Sequence, residues 1–155
     1  MANQFNTSFI ALGIDEFMFR PPAGYAIGNR NDCKVITLTE NYEQYDVCCY
    51  SQANSDFRLA DADVEEESKA DIFIILSPDG SSGDVVVVSR RCWIRDTRWS
   101  FGASNGFPIF LSQTAGDLTP TAPAGAGTFG RVLGHVQEYD NDVWFDPSKD
   151  YITNA

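Results

Sequence analysis

Histidine occurs once in the 155 residues and methionine twice, and only 11 basic residues stand against 22 acidic ones, for a formal net charge of −11. A chain so poor in Lys and Arg repels phosphate backbones. It also has no basic stripe that would track one, so no nucleic-acid partner is expected. No apolar run approaches the ~18 residues that a membrane helix needs, so no membrane association is expected either. Met1 is followed by polar residues and not by a basic stretch and an apolar one. The expectation is a chain without a secretory signal, soluble in the reducing cytoplasm that makes it. Cysteine is sparse, with four residues at 33, 48, 49 and 92, no Cys-x-x-Cys pair and no histidine at ligand spacing, which argues against a metal cluster. Strand alternation sends the neighbouring thiols of Cys48 and Cys49 to opposite faces, so buried free cysteines are expected.

The same scarcity bears on catalysis. His135 would need a nucleophile and an orienting carboxylate from elsewhere, and no Gly-x-Ser-x-Gly elbow is present, so it reads as a strand histidine. Two acidic clusters, Asp61, Asp63, Glu65, Glu66 and Glu67 in one and Asp140, Asp142, Asp146 and Asp150 in the other, supply oxygens of the kind a hard cation takes. Both lack the Asp-x-[Asp/Asn]-x-[Asp/Asn]-Gly loop with its terminal Glu, so they read as solvated faces. Nothing in their spacing selects a pair for glycoside hydrolysis. Gly125-Ala126-Gly127 follows Pro123 in a loop and opens no helix, unlike a phosphate cradle. No enzymatic activity, no metal and no cofactor are expected. Trp93, Trp99 and Trp144 each lie in a strand-like run, where core burial is the first reading and a sugar-stacking platform the second. Arg90, Arg91, Arg95 and Arg98 form the one basic cluster, either ordinary surface arginines or a contact to an acidic partner.

Aromatic residues, by contrast, are plentiful: 11 Phe, 6 Tyr and 3 Trp, with 12 Gly and 7 Pro falling between apolar runs. That combination predicts an all-β fold, a small β-sandwich or barrel of about eight short strands with one short helix. A chain of this length makes one domain that buries roughly two-thirds of its unfolded surface. Residues 1–32 hold Phe5, Phe9, Ile10, Leu12, Phe17, Met18 and Phe19 without helical or strand periodicity. They predict an extended N-terminal arm whose aromatics are buried on the body or on a neighbouring subunit, a mobile tail with a short helix over 15–20 being the alternative. Residues 33–155 form the β domain.

Within that domain, residues 35–39 and 45–50 are expected to pair as a hairpin, followed by a polar connection over 51–58. The short helix falls at 63–70, capped by Asp61 or Asp63. Residues 71–76 and 85–88 are continuous apolar runs and so predict strands covered on both faces, one by an opposing sheet and one by the helix or the arm. Residues 131–136 and 143–145 should pair antiparallel across the polar turn Tyr139-Asp140-Asn141-Asp142.

The stretch 107–152 reads FPIFLSQTAGDLTPTAPAGAGTFGRVLGHVQEYDNDVWFDPSKDYI. Its Pro108 to Ser112, Gly116, Leu118-Thr119, Thr121-Ala122-Pro123, Gly127, Arg131 to Gly134 and Phe145 to Ser148 resemble the C-terminal signature of small tailed-phage virion proteins of the capsid decoration, cement or head-fibre kind. A looser likeness extends upstream through Trp99-Ser100-Phe101, Gly83-Asp84 and residues 72–76 to 59–63. The resemblance implies a structural role without a reaction: a decoration or cement protein that binds the outer surface of a phage head and stabilises the shell. The alternative is a head-fibre or fibre-base module presenting loops to a host-surface glycan. The partners implied are the major capsid protein and further copies of the chain, as a trimer on the virion, assembled in the host cytoplasm. Phe5, Phe9, Phe17 and Phe19 of the arm are candidate contacts, because their apolar groups fit no local element. Pro120, Ala122, Pro123 and Phe129 are the others, because they lie in a small, uncharged loop where like-charged copies meet at least cost.

Overall fold

The computed structural model describes residues 21, 23–102, 105–139 and 141–155, together with the backbone of 9–12. Its strands are β1 (Phe9–Leu12), β2 (Tyr25–Asn29), β3 (Cys33–Thr37), β4 (Val47–Ser51), β5 (Asp56–Leu59), β6 (Ile72–Ile75), β7 (Val85–Ser89), β8 (Cys92–Arg95), β9 (Pro108–Leu111), β10 (Leu118–Thr119), β11 (Phe129–Gly130), β12 (Val132–Val136), β13 (Asp142–Phe145) and β14 (Ile152–Thr153). The helix α1 (Glu65–Lys69) lies between β5 and β6. No helix among the described residues is long and apolar enough to cross a membrane.

The strands form a seven-stranded sheet in the order β1-β2-β8-β13-β12-β9-β10, a five-stranded sheet in the order β3-β7-β6-β4-β5, and a small β11-β14 pair. All ladders are antiparallel except β1 on β2. Alternation sorts each strand's side chains onto two faces. Ala26, Ile94, Phe145, Leu133 and Leu111 of the large sheet meet Val47, Cys49, Ile72, Ile74 and Val87 of the small one in the core between the sheets. The described residues therefore form an all-β sandwich with one short α-helix, as the breaker spacing predicts.

The opposite face of the small sheet is apolar as well: Ile36, Cys48, Phe73, Ile75, Val86 and Val88 form a second buried cluster with Leu38 and Tyr42. The small sheet hides this face by curling. Its two edges approach until Leu38 bridges Phe57 and the Thr39 N–H donates to the Phe57 carbonyl at 3.0 Å. Lys34 lies at one mouth of the curl, its Nζ 3.7 Å from the Phe73 ring centre and 4.5 Å from that of Phe57. The runs 72–75 and 86–88 are covered on both faces, as expected, whereas Val85 at the start of β7 is exposed. The second cover, however, is the sheet's own curvature and not the helix or the arm.

Other expectations change. Residues 35–39 and 45–50 do not pair with each other, because β7 and β6 stand between β3 and β4. The connecting segment instead crosses the sheet end, held by a Tyr42–Gly80 bridge, and a Cβ at Gly80 would overlap the Tyr42 hydroxyl. The supposed polar connection 51–58 is a tight hairpin into β5, with Ser55 at φ 57° and the amides of Gln52 and Ala53 both donating to the Glu66 carboxylate. The helix is a turn shorter than read, since its N-cap is Val64 and the Asp61 carboxylate accepts from the Asp63 amide at 2.8 Å instead of capping.

The arm boundary at residue 32 also moves. β2 is an interior strand between β1 and β8, with Ala26 and Ile27 fully buried. Gly28 disguised it: a Cβ there would press within 3.0 Å of the Arg91 carbonyl oxygen and Cys92 Cβ, so the position requires the residue that weakens a strand signal. Among the described residues six strands exceed the eight expected: β1, β2 and β5, which lie in stretches read as arm or connection, and β10, β11 and β14, which are two residues long, below any readable period.

Candidate functional site

The signature segment divides into a buried half and a surface half. Arg131, only 4% exposed, belongs to the first: Nε donates to the Ser148 carbonyl at 2.7 Å, and Nη1 donates to the carbonyls of Ser68 and Ala70, at 2.8 Å for Ser68. One side chain thus joins the end of α1 to the C-terminal tail. Gly134 sits where the β12–β9 register shifts, and a Cβ there would overlap the Trp144 carbonyl oxygen. The expected pairing of 131–136 with 143–145 is present, with Gly134 opposite Phe145 and Val136 opposite Val143.

The surface half is a shallow apolar groove lined by Phe110, Ala122, Pro123, Val132, Tyr151 and Ile152. Ile152 is 70% exposed, the highest value for a large hydrophobic residue among those described. The loop that builds the groove's rim is pinned and not loose. Asn154 Nδ2 donates to the Pro123 carbonyl at 2.7 Å and to Thr128 Oγ1 at 2.8 Å, and Gly127 N–H donates to the Asn154 carbonyl at 3.0 Å. Of the predicted contacts, Ala122 is exposed, Pro120 half-buried and Pro123 buried, so the loop presents mainly its alanine and the flank of its proline. Phe129 turns inward at 5% exposure, because its amide donates to Ala62 and its ring meets Tyr151 edge-on at 6.3 Å. Phe9 lies in β1, at the edge of the large sheet; Phe5, Phe17 and Phe19 lie outside the described residues, as does the alternative helix over 15–20.

The acidic charge gathers elsewhere. Loops from both sheets converge on Arg98, whose Nε lies 2.9 Å from Asp96 Oδ2 and whose Nη1 lies 3.3 Å from Glu43 and 3.9 Å from Asp79. Asp46 and Asp117 line the same hollow, and Asp46 accepts from the Glu43 amide at 2.8 Å. Burial raises the Asp46 carboxyl to about 6, a rise opposed by its bond to the Glu43 amide and reinforced by Asp117 and Glu43. Sequence reasoning missed this hub, since its members are scattered from 43 to 117. It missed Tyr151 and Ile152 too.

The remaining candidates disperse. Trp93 and Trp144 stand directly opposite each other across β8 and β13, whereas Trp99 packs on Tyr45 and Phe101 at another site. His135 is exposed, opposite Trp144 and Pro108. The arginine cluster splits: Arg90 pairs with Asp71 at 3.6 Å and Arg91 with Asp146 at 3.2 Å, Arg95 lies over the Tyr139 ring, and Arg98 holds the acidic hub. In the first acidic cluster Glu65 pairs with Lys69 and Glu66 accepts from loop amides, so these carboxylates are committed internally. Among the described residues no group of His, Cys, Asp or Glu is arranged to hold a metal ion. All four cysteines are free, and Cys48 and Cys49 face different cores.

Fold and surface together define a class: a small two-sheet β-sandwich with an acidic loop hub and a mainly apolar groove with one charged residue, Asp150, in its lining. No family model matches the chain, and no curated protein matches it.

Proposed function

We propose that the chain is a structural virion protein, a capsid decoration or cement protein that binds the outer surface of a tailed-phage head through its major capsid protein and strengthens the shell. The observation that carries the reading is where the signature residues fall. Those resembling the virion-protein pattern either hold the sandwich together, as Arg131 and Gly134 do, or build the exposed apolar groove, as Ala122 and Pro123 do. A contiguous apolar surface on a chain of net charge −11 is a place where another protein sits. Each contact of this size is weak, and occupancy of a symmetric shell multiplies it.

One observation favours the second reading, a head-fibre or fibre-base module: the Trp93–Trp144 pair is a ready face for stacking a host glycan. Mixing the purified chain with expanded phage heads that lack it separates the two. Co-sedimentation with the heads, together with a higher melting temperature of the shell, supports the decoration role. Binding to host cells or glycans without binding to heads overturns it, as does binding to neither.

A further inference from the structure

The acidic hub and the groove share no lining residue. The loops of the hub bond to one another: Leu38 N–H donates to the Asp84 carbonyl, Asp96 N–H to the Asn141 carbonyl, and Arg98 reaches Glu43. Glu40, Glu43, Asp46, Asp79, Asp84 and Asp96 all belong to these loops. The groove, by contrast, has Asp150 as the one charged residue in its lining. Two copies brought together by their acidic hubs set carboxylates against carboxylates within the ~8–10 Å over which charges act at ordinary ionic strength. Two copies brought together by their grooves contribute one lining carboxylate each, that of Asp150.

The groove also carries its own complement. Ile152 projects from β14 beside the hollow formed by Phe110, Pro123 and Val132, so one surface offers both a knob and a hole, as a contact between identical patches requires. β14 pairs only with β11, and no strand among the described residues lies on its outer side. We infer that this C-terminal edge is a self-association surface, on which Ile152 of one copy seats against Phe110, Pro123 and Val132 of a second copy. The inference rests on the self-association part of the reading above. It keeps Ala122 and Pro123 of the expected contact loop, drops Phe129, which is buried, and adds the tail. Ten residues line the groove, fewer than the roughly 20–30 a side of a standard interface, so free copies associate only in the high micromolar range or above, and a lattice supplies the remainder.

Sedimentation equilibrium of the full chain over a concentration series up to about 1 mM, the range set by a marginal interface, tests this without any shell. The wild type should self-associate, and more strongly in high salt, because salt screens the acidic repulsion and spares the apolar contact. Ile152→Asp should weaken association at least tenfold. Val85→Asp, which adds the same charge at another exposed residue, 55% accessible, should leave it within about twofold of wild type. A wild type that stays monomeric overturns the inference. So do two variants that weaken association equally, or association that declines as salt rises. If association fails while the chain still binds phage heads, the surface assignment falls and the decoration reading stands.

Discussion

Replacing Arg131 with alanine withdraws the donor from three carbonyl oxygens at once, those of Ser68, Ala70 and Ser148. Arg131 itself is 4% exposed and Ser68 is buried, while Ala70 and Ser148 are half-buried, so water replaces the lost donor only in part. A hydrogen bond from a charged donor is worth about 1.5–3 kcal/mol net, so three of them set an upper bound. The desolvation of the guanidinium lowers that bound. Burial holds its pKa below the usual arginine value, the neighbouring Asp71 offsetting part of the effect. The expected loss is ~3–4 kcal/mol, which for a chain of this size lowers the melting temperature by about 10 °C. Arg131→Lys keeps the charge but not the planar fork and should lose ~2 kcal/mol. Arg131→Met keeps the stem and leaves the carbonyls unpaired, so it should fall close to alanine. Urea melts with midpoint and slope fitted together measure all three. A loss under ~1 kcal/mol for alanine at unchanged slope would refute the reasoning, and so would a methionine variant as stable as the wild type, which would show the buried charge to be a net burden.

Two further outcomes follow from groups with displaced titration. Asp46 is raised from 3.8 to about 6, so the folded chain binds a proton that the unfolded chain releases between those values. Stability should therefore rise as pH falls from 7 toward 4, and Asp46→Asn should remove most of that slope while stabilising the chain at pH 7 by about 1 kcal/mol after allowance for its partial exposure; identical slopes in thermal melts of the two proteins would contradict this. Burial pushes the Cys49 thiol up to about 12 and also raises Cys48 and Cys92, whereas Cys33 is only half-buried. A disulfide reagent at pH 8 should modify Cys33 alone in the native protein and all four thiols in denaturant, and rapid native labelling of Cys48 or Cys49 would count against the two-core arrangement.

How far the fold was legible depends on the length of each signal. Residues 72–75 and 85–88 are uninterrupted apolar runs, and they do lie in a strand layer with no polar face. The neighbouring thiols at 48 and 49 separated onto two faces because alternation is a property of any strand. β2 was hidden by Gly28, whose lack of a side chain is a packing requirement that local pattern reports as weakness. The expected 35–39/45–50 hairpin failed because adjacency in sequence is a poor guide once a connecting segment crosses the sheet end, as the one through Tyr42 does. At the contact face, composition marked Ala122 and Pro123. It could not tell Phe129, drawn inward by its bond to Ala62, from Ile152, left outside by a two-residue strand.

The small sheet is a wall shared by two dry compartments, and that constrains how the molecule breathes. Opening β6 or β7 wets the intersheet core and the interior of the curl together, so neither strand can detach as a minor fluctuation. Motion short of global unfolding falls first to the strands with one partner, β1, β10 and β14 among them. The rim and the apolar groove coincide at β14, so a neighbour seated there, as proposed above, would reshape the surface it touches while the wall behind it keeps its form.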